Sequence, residues 1–270
     1  MHAWTNLVKK EIRLGQPAFW IAIGLFLFVG AIAGFFGNRS GYLSETLLAF
    51  SAVSLVAMVL YLAYYLIFSF GSDTKRLHIW MHQPASGKSL ISAKLASGLL
   101  NQIVTIAVIL LVLTISVSFT PEVLMGRNWA DWWSAVGFIG IHVVLLSISI
   151  SMWLVFFWMI FLFIKRSMPT ILSIFLTIVL GIITLTLIGW FADTQVYSFL
   201  TQWGAFQITD VLFWLDHGNT GSFQSGGFSM DAAPTNENGM FYAGNYVYET
   251  IVTILLFVFS CWILDRKVEV

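Results

Sequence analysis

Few residues in this chain have the type and spacing that chemistry requires. Gly87-Lys88-Ser89 has the ending of a phosphate-binding loop, in which backbone N–H groups wrap the phosphates of a nucleotide. That loop also needs a glycine five residues earlier, where this chain has His82, and no strand is predicted before it. We therefore expect that this chain has no ATP site and binds no cofactor of its own.

Ionisable residues inside apolar segments are costly, and they often mark a proton relay or an ion path. Here they are His142, inside an apolar run, and Asp193 and Glu249, near the ends of two others. We interpret His142 as a hydrogen-bonded packing residue, with a relay as the alternative, and leave the role of Glu249 open. The chain has no metalloprotease or serine-hydrolase signature and one cysteine, Cys261, so we predict no catalytic residue and no metal site.

A short amphipathic helix is predicted within residues 71–96. Leu77, Trp80 and Met81 follow the i, i+3, i+4 spacing of one helical face, and Pro84 ends the helix. The charged residues beside this face are Asp73, Lys75 and Arg76. Such a face must be buried against lipid, against the ends of the chain's own helices or against a partner protein.

Residues 1–16 are predicted to form a second amphipathic helix, which lies in the membrane interface and ends before Pro17. Its apolar residues at helical spacing are Trp4, Leu7, Val8 and Ile12. A basic leader that only sets topology is the alternative. A cleaved signal peptide is disfavoured, because the apolar run that follows reaches 20 residues, longer than the usual apolar region of a signal peptide.

The composition places most of the chain in a membrane. Of the 270 residues, 59% are hydrophobic and 10% are charged, and the mean hydropathy is +0.86. Soluble domains are about 45–50% apolar and about 25% charged, which excludes a cytosolic enzyme. Because 13 Lys and Arg balance 13 Asp and Glu, no nucleic-acid partner is expected.

Six apolar runs are long enough to span a membrane, which takes about 20 residues per helix. They are 17–36, 47–70, 97–119, 134–164, 169–192 and 246–264. Since the runs are apolar on all sides, helices are favoured over a barrel. The fold class predicted is therefore an all-α membrane protein, with a single transmembrane domain over residues 1–270 and six transmembrane helices.

Basic residues predict the orientation of these helices. Eleven of the 13 Lys and Arg residues lie before the first run, after the second, after the fourth or after the last. The other two are Arg39 and Arg127. The positive-inside rule then puts both termini and the loop 71–96 in the cytoplasm.

The predicted outer segment 193–245 contains five acidic residues and no Lys or Arg. Its part 196–215 is rich in aromatic and aliphatic residues, and we expect a re-entrant or interfacial helix there, before the last span. Its part 216–239 is rich in Gly, Ser and Asn, which is typical of a mobile loop.

Small residues predict where helices approach one another closely. Gly30 and Gly34 form a Gly-x-x-x-Gly pair in the first span. Ser173, Thr177 and Gly181 repeat every four residues in the fifth. We expect both sets to be packing faces, within this chain or between subunits.

Together these features resemble the permease subunit of an ABC-2 type ABC transporter. The amphipathic start, the six spans with both ends inside and the long outer segment before the last span are similar to that family along the whole chain. The loop is similar to the family pattern of an acidic residue and Thr, then Leu, Pro and a closing Lys. The matching residues are Asp73, Thr74, Leu77, Met81, Pro84, Ser86 and Lys94, with Asp73 where many members have Glu.

The resemblance implies a complex in a bacterial plasma membrane. Two permease subunits, identical or different, would assemble with two separate ATPase subunits that bind ATP and Mg²⁺. The loop 71–94 would be the coupling helix seated in a groove of the ATPase. The expected cargo is an amphiphile (a peptide, antibiotic, lipid or glycan), exported from the cell, and membrane lipid is the remaining partner.

The alternative is a membrane protein that works without an ATPase. It would be a channel, a secondary transporter, or an immunity or assembly factor that binds a ligand through the acidic outer loop. A secondary transporter predicts internal repeats and helices broken at mid-membrane. The sequence shows no repeat and no proline in the middle of a span, so we expect unbroken spans.

Overall fold

The computed structural model describes residues 2–74, 86–119, 128–206 and 241–265. Its elements are helices α1 (His2–Ser40), α2 (Leu43–Ala57), α3 (Tyr61–Thr74), α4 (Gly87–Phe119), α5 (Trp129–Lys165), α6 (Thr170–Ala192), α7 (Gln195–Thr201) and α8 (Ala243–Ile263), a 3₁₀ turn (Met58–Leu60), and strands β1 (Ala205–Phe206) and β2 (Phe241–Tyr242).

The prediction of six spans is confirmed in the described part of the chain. Six helical stretches are long and apolar enough to cross a membrane, as expected of an all-α, multi-pass membrane protein. They are Trp4–Ser40, Leu43–Ser72, Gly87–Phe119, Trp129–Lys165, Thr170–Ala192 and Ala243–Ile263. Each predicted span coincides with one of these stretches to within a residue or lies inside it.

The predicted break before Pro17 is wrong, because α1 runs without interruption from His2 to Ser40 with Pro17 inside it. Proline removes one backbone hydrogen bond from a helix, and membrane helices tolerate that loss when neighbouring helices hold the chain. Gly15 and Ala18, on either side of the proline, are both buried against the protein. Packing therefore keeps the helix continuous where the local rule predicts an end.

The second span, in contrast, is not one regular helix. It consists of α2 and α3, joined by the 3₁₀ turn Met58–Leu60. The helical stretch continues over Leu43–Ser72, but the type of helix changes at this turn. Residues 54–66 contain no proline or glycine, so the residue types give no signal of the change in helix type.

The chain divides into two compact units, Met1–Ser151 and Met152–Val270, with the division inside α5. The sequence predicts one domain over 1–270. In the first unit, the core is formed by Phe26 of α1, Leu55 of α2, Ile106 and Ile109 of α4 and Val143 of α5.

Close approach of α1 and α2 depends on glycines of α1. The turn between the two helices contains Gly41 with φ of 80°, a left-handed conformation that favours glycine. A Cβ at Gly30 would lie 3.0 Å from Phe50 Cε1, and one at Gly34 would lie 3.6 Å from Leu47 Cδ2. Both members of the Gly-x-x-x-Gly pair thus face α2.

The second unit carries the segment after α6. The short helix α7 begins at Thr194, whose hydroxyl accepts a hydrogen bond from the Tyr197 N–H. After Gly204 (φ 67°), β1 pairs antiparallel with β2, with Ala205 opposite Tyr242 and Phe206 opposite Phe241. In this part of the chain the structure therefore has a helix at Gln195–Thr201 and a strand at Ala205–Phe206. The rest of the predicted re-entrant segment and the predicted loop 216–239 lie outside the described residues.

Replacing Gly37 by leucine is expected to destabilise the contact between α1 and α2. A Cβ there would lie 2.9 Å from Thr46 Cβ and 3.2 Å from Leu43 Cα, and overpacking of this kind costs about 1–3 kcal/mol. The midpoint of thermal unfolding, measured on the full chain in detergent, should fall. Gly24→Leu is the matched control, because a Cβ at Gly24 meets nothing within 4 Å. Equal midpoints for the two variants would contradict the packing described here.

Candidate functional site: a buried ion pair joining α1, α3 and α4

A buried ion pair connects two distant parts of the chain. Lys94 Nζ of α4 lies 2.8 Å from Glu11 Oε2 of α1, and the two side chains are 1% and 3% exposed. Removing such charges from water costs several kcal/mol per ion unless close partners satisfy them. The surroundings of this pair therefore decide whether it can persist.

Residues of α3 supply further partners. Lys94 Nζ donates to Ser69 Oγ at 2.7 Å, and Ser69 Oγ donates in turn to Glu11 Oε2 at 3.2 Å. The ring of Phe70 lies 5.4 Å from Lys94 Nζ, within the range of a cation–π contact. The ammonium group is thus held by a carboxylate, a hydroxyl and an aromatic face from two other helices.

A tyrosine extends this network by one helical turn. The Tyr65 hydroxyl oxygen lies 3.0 Å from Ser97 Oγ and 3.2 Å from the Glu11 carbonyl oxygen, so its single proton has two acceptors. Ser97 Oγ donates to the Lys94 carbonyl at 2.9 Å. Tyr65 and Ser97 are fully buried. The hydrogen bonds therefore run from α1 through α3 to α4 without reaching the surface.

Two glycines make room for Tyr65. A Cβ at Gly15 of α1 would overlap the Tyr65 hydroxyl. A Cβ at Gly98 of α4 would lie 2.6 Å from Leu62 Cδ1 and 2.8 Å from Tyr65 Cδ1. Since neither space can hold a side chain, the tyrosine fixes the spacing of α1 and α4.

The site lies near both ends of the segment 75–85. Helix α3 ends at Thr74, five residues after Ser69, and α4 begins at Gly87, seven residues before Lys94. The start of α4 is capped by Ser86, whose Oγ accepts from the Ser89 N–H at 3.4 Å. The two helices that flank this segment are therefore tied to each other and to α1.

The predicted coupling residues fall mainly on this flanked segment. Lys75, Arg76, Leu77, Trp80, Met81 and Pro84 lie outside the described residues. Asp73 lies in the last turn of α3.

The predicted interfacial residues lie on the first turns of α1. Val8 is buried and Leu7 and Ile12 are half-buried, so part of this apolar face packs against the protein. Trp4 is 44% exposed, and its Nε1 donates to Ser92 Oγ of α4 at 3.1 Å. The first turns of α1 therefore contact α4 on one side and are exposed at the surface of the protein on the other.

The small residues predicted in the fifth span lie on the least exposed side of α6. Ser173 is fully buried, and Thr177 and Gly181 are half-buried, while most residues around them are exposed. A Cβ at Gly181 would reach ordinary contact, 4.0 Å, with the ring of Phe157 in α5. This side of α6 therefore lies against protein.

Two of the ionisable residues considered in the spans, His142 and Glu249, lie beside aromatic rings. The ring of His142 stacks on Phe138, with centroids 6.1 Å apart. Glu249 of α8 lies near Tyr197 of α7, and the pKa of Tyr197 is raised first by burial and then by the Glu249 carboxylate. Within the described ranges, no three His, Cys, Asp or Glu residues are grouped so that they could hold a metal ion.

Comparison with known proteins adds no assignment to this geometry. The chain matches no family model, no curated protein and no solved structure.

Sequence reasoning did not pair Glu11 with Lys94. A signal for Glu11 is present, because it is the one acidic residue in the first 16 and shares a helical face with the apolar residues Leu7 and Val8. A charged residue on an apolar face needs a partner. The identity of that partner, 83 residues away, cannot be read from local spacing.

Breaking the ion pair on one side is expected to be more damaging than removing both charges. Glu11→Gln and Lys94→Met should each cost about 3–5 kcal/mol, because each leaves a buried charge without its partner. The double variant should lose less free energy of unfolding than the sum of the losses of the two single variants. The measurement is the free energy of unfolding of the full chain in a denaturing-detergent titration.

Lys88→Met is the matched control for this cycle, because Lys88 lies on the same helix and is exposed. Its free energy of unfolding should stay close to that of the unchanged chain. Additive losses in the Glu11/Lys94 cycle would mean that the two side chains are not coupled.

Proposed function

We propose that this chain is the permease subunit of an ATP-driven ABC transporter that exports an amphiphilic substrate. A separate ATPase subunit would supply ATP binding and hydrolysis, with a second permease subunit, identical or different, completing the complex in a bacterial plasma membrane. Six helices of spanning length support the membrane part of this proposal. The similarity of residues 73–94 to the ABC-2 pattern supports the family part.

The observation that carries the proposal is the fixation of α3 and α4 to α1 by Glu11, Ser69 and Lys94. A segment that is displaced by a partner protein transmits that displacement to the spans only if its flanking helices are held together. In the proposed mechanism, closure of the ATPases displaces residues 71–94. The ion pair then passes that displacement to α1, which is 39 residues and so about 58 Å long.

The charge distribution supports a cytoplasmic ATPase contact. Eleven of 13 basic residues lie on the side that also holds the 71–96 loop, and that side faces the cytoplasm by the positive-inside rule. Glu11 and Lys94 belong to this same side. The proposed contact and the buried pair would then lie at one end of the spans.

An amphiphilic cargo is favoured by the chemistry of the spans. Aromatic residues make up 16% of the chain, and few ionisable groups lie inside the helices. Such a surface suits apolar chains better than small ions. Secondary transporters use paired broken helices in repeated halves. Here the second span changes only its helix type, and the other five spans described are α-helices throughout.

Replacing Leu77 and Met81 together by aspartate should abolish co-purification with the ATPase. The charges would destroy the apolar face proposed to enter the ATPase groove, while membrane insertion should be unchanged. The measurement is a mild-detergent affinity purification from the native membrane, with bound proteins identified by mass.

Ser167→Asp is the matched control, because it adds a charge to an exposed connection on the same predicted side. It should retain the ATPase. Recovery of the unchanged chain alone, at good yield, would favour the channel, secondary-transporter or immunity-factor alternatives. Retention of an ATPase by the Leu77/Met81 variant would place the contact elsewhere.

A further inference from the structure

The second span changes helix type near its middle without a residue that explains the change. Helix α2 ends at Ala57, the 3₁₀ turn covers Met58–Leu60, and α3 begins at Tyr61. Kinks in helices are usually caused by proline, glycine or a group inserted into the hydrogen-bond ladder. Since residues 54–66 contain neither proline nor glycine, the third cause must be sought in the neighbouring helices.

Gln102 of α4 provides such a group. Its side chain is fully buried, and its Nε2 donates to the Met58 carbonyl oxygen at 3.0 Å. The same carbonyl oxygen also accepts from the Tyr61 N–H, which is the i→i+3 hydrogen bond of the 3₁₀ turn. The amide of Gln102 is therefore a second donor to the Met58 carbonyl, inserted where the helix type changes.

The two halves of the span contact different parts of α1. Helix α2 packs on the glycine face of α1, where Gly30 lies against Phe50 and Gly37 against Thr46. Helix α3 is held by the network of Tyr65 and Ser69 with Glu11 and Lys94. The residues where the helix type changes lie between these two sets of contacts.

We infer that Met58–Leu60 is a hinge within the second span and that Gln102 is the positioning residue that holds it. The hinge lets the angle between α2 and α3 change. Gln102 is eight residues from Lys94 on α4, which is about 12 Å along the helix. The pivot therefore lies two turns from the ion pair. This inference does not depend on the proposed function, since it concerns only contacts within the first unit.

The test is amide hydrogen exchange of the full-length chain in lipid nanodiscs. Gln102→Leu removes the side-chain donor to the Met58 carbonyl, and Gln102→Met is a second variant that keeps the length of the side chain. Loss of one such hydrogen bond should speed exchange of residues 56–62 by roughly twofold to tenfold. Exchange in the rest of α2 and α3 should stay the same.

Thr114→Val is the matched control, because the Thr114 hydroxyl of α4 donates within its own helix, to the Leu110 carbonyl at 2.8 Å. It should leave exchange of residues 56–62 unchanged. Unchanged exchange of that stretch in a folded Gln102 variant would overturn the inference. An equal rise in exchange rate along the whole of α2, α3 and α4 would also overturn it, because it would show that Gln102 acts on general stability.

A distance measurement tests the same hinge without relying on exchange. With Cys261 replaced by serine, spin labels at the exposed positions Val53 of α2 and Ile67 of α3 would be about 21 Å apart along the span. Their distance distribution should broaden in Gln102→Leu. Labels at Ile103 and Ile115, both exposed on α4, should keep the same distance distribution in this variant. A distribution for Val53 and Ile67 that does not broaden in the folded variant would overturn the hinge.

Discussion

The arrangement of the first unit depends on how the charge of Lys94 is compensated. An ammonium group that is 1% exposed is unstable in a protein interior unless it is paired and hydrogen-bonded. Glu11 supplies the opposite charge, Ser69 a hydroxyl and Phe70 an aromatic face. Because these groups come from α1 and α3, compensation of one charge fixes three helices against one another.

Several features of the fold are consequences of this requirement. The first 16 residues lie on the protein through Val8 and Glu11 and do not form a separate helix. Helix α1 continues through Pro17 because the residues on both sides of the proline are packed. The positions of Gly15 and Gly98 have no space for a side chain, since Tyr65 fills the gap between α1 and α4.

The features that could be predicted from sequence are those whose signal accumulates over many consecutive residues. Six spans were identifiable because about 20 consecutive apolar residues give a strong signal. Other features depend on contacts between distant segments. The continuity of α1 at Pro17, the 3₁₀ turn opposite Gln102 and the pairing of Glu11 with Lys94 are set by residues on different helices. Local propensity rules cannot include such contacts. The coupling residues from Lys75 to Pro84 remain a prediction, because they lie outside the described residues.

The central claim is that the Glu11–Lys94 pair holds α1 against α4, and cross-linking in the native membrane tests it most directly. Cys261 is the chain's one cysteine, so in a Cys261→Ser background Trp4→Cys and Ser92→Cys create a unique pair. These positions replace two side chains that are 3.1 Å apart at their polar atoms. A short bis-maleimide reagent should join them efficiently, and Glu11→Gln should reduce the yield severalfold, while Lys88→Met should not. Equal yields with and without Glu11→Gln would contradict the account, because α1 would then be held by something other than the ion pair.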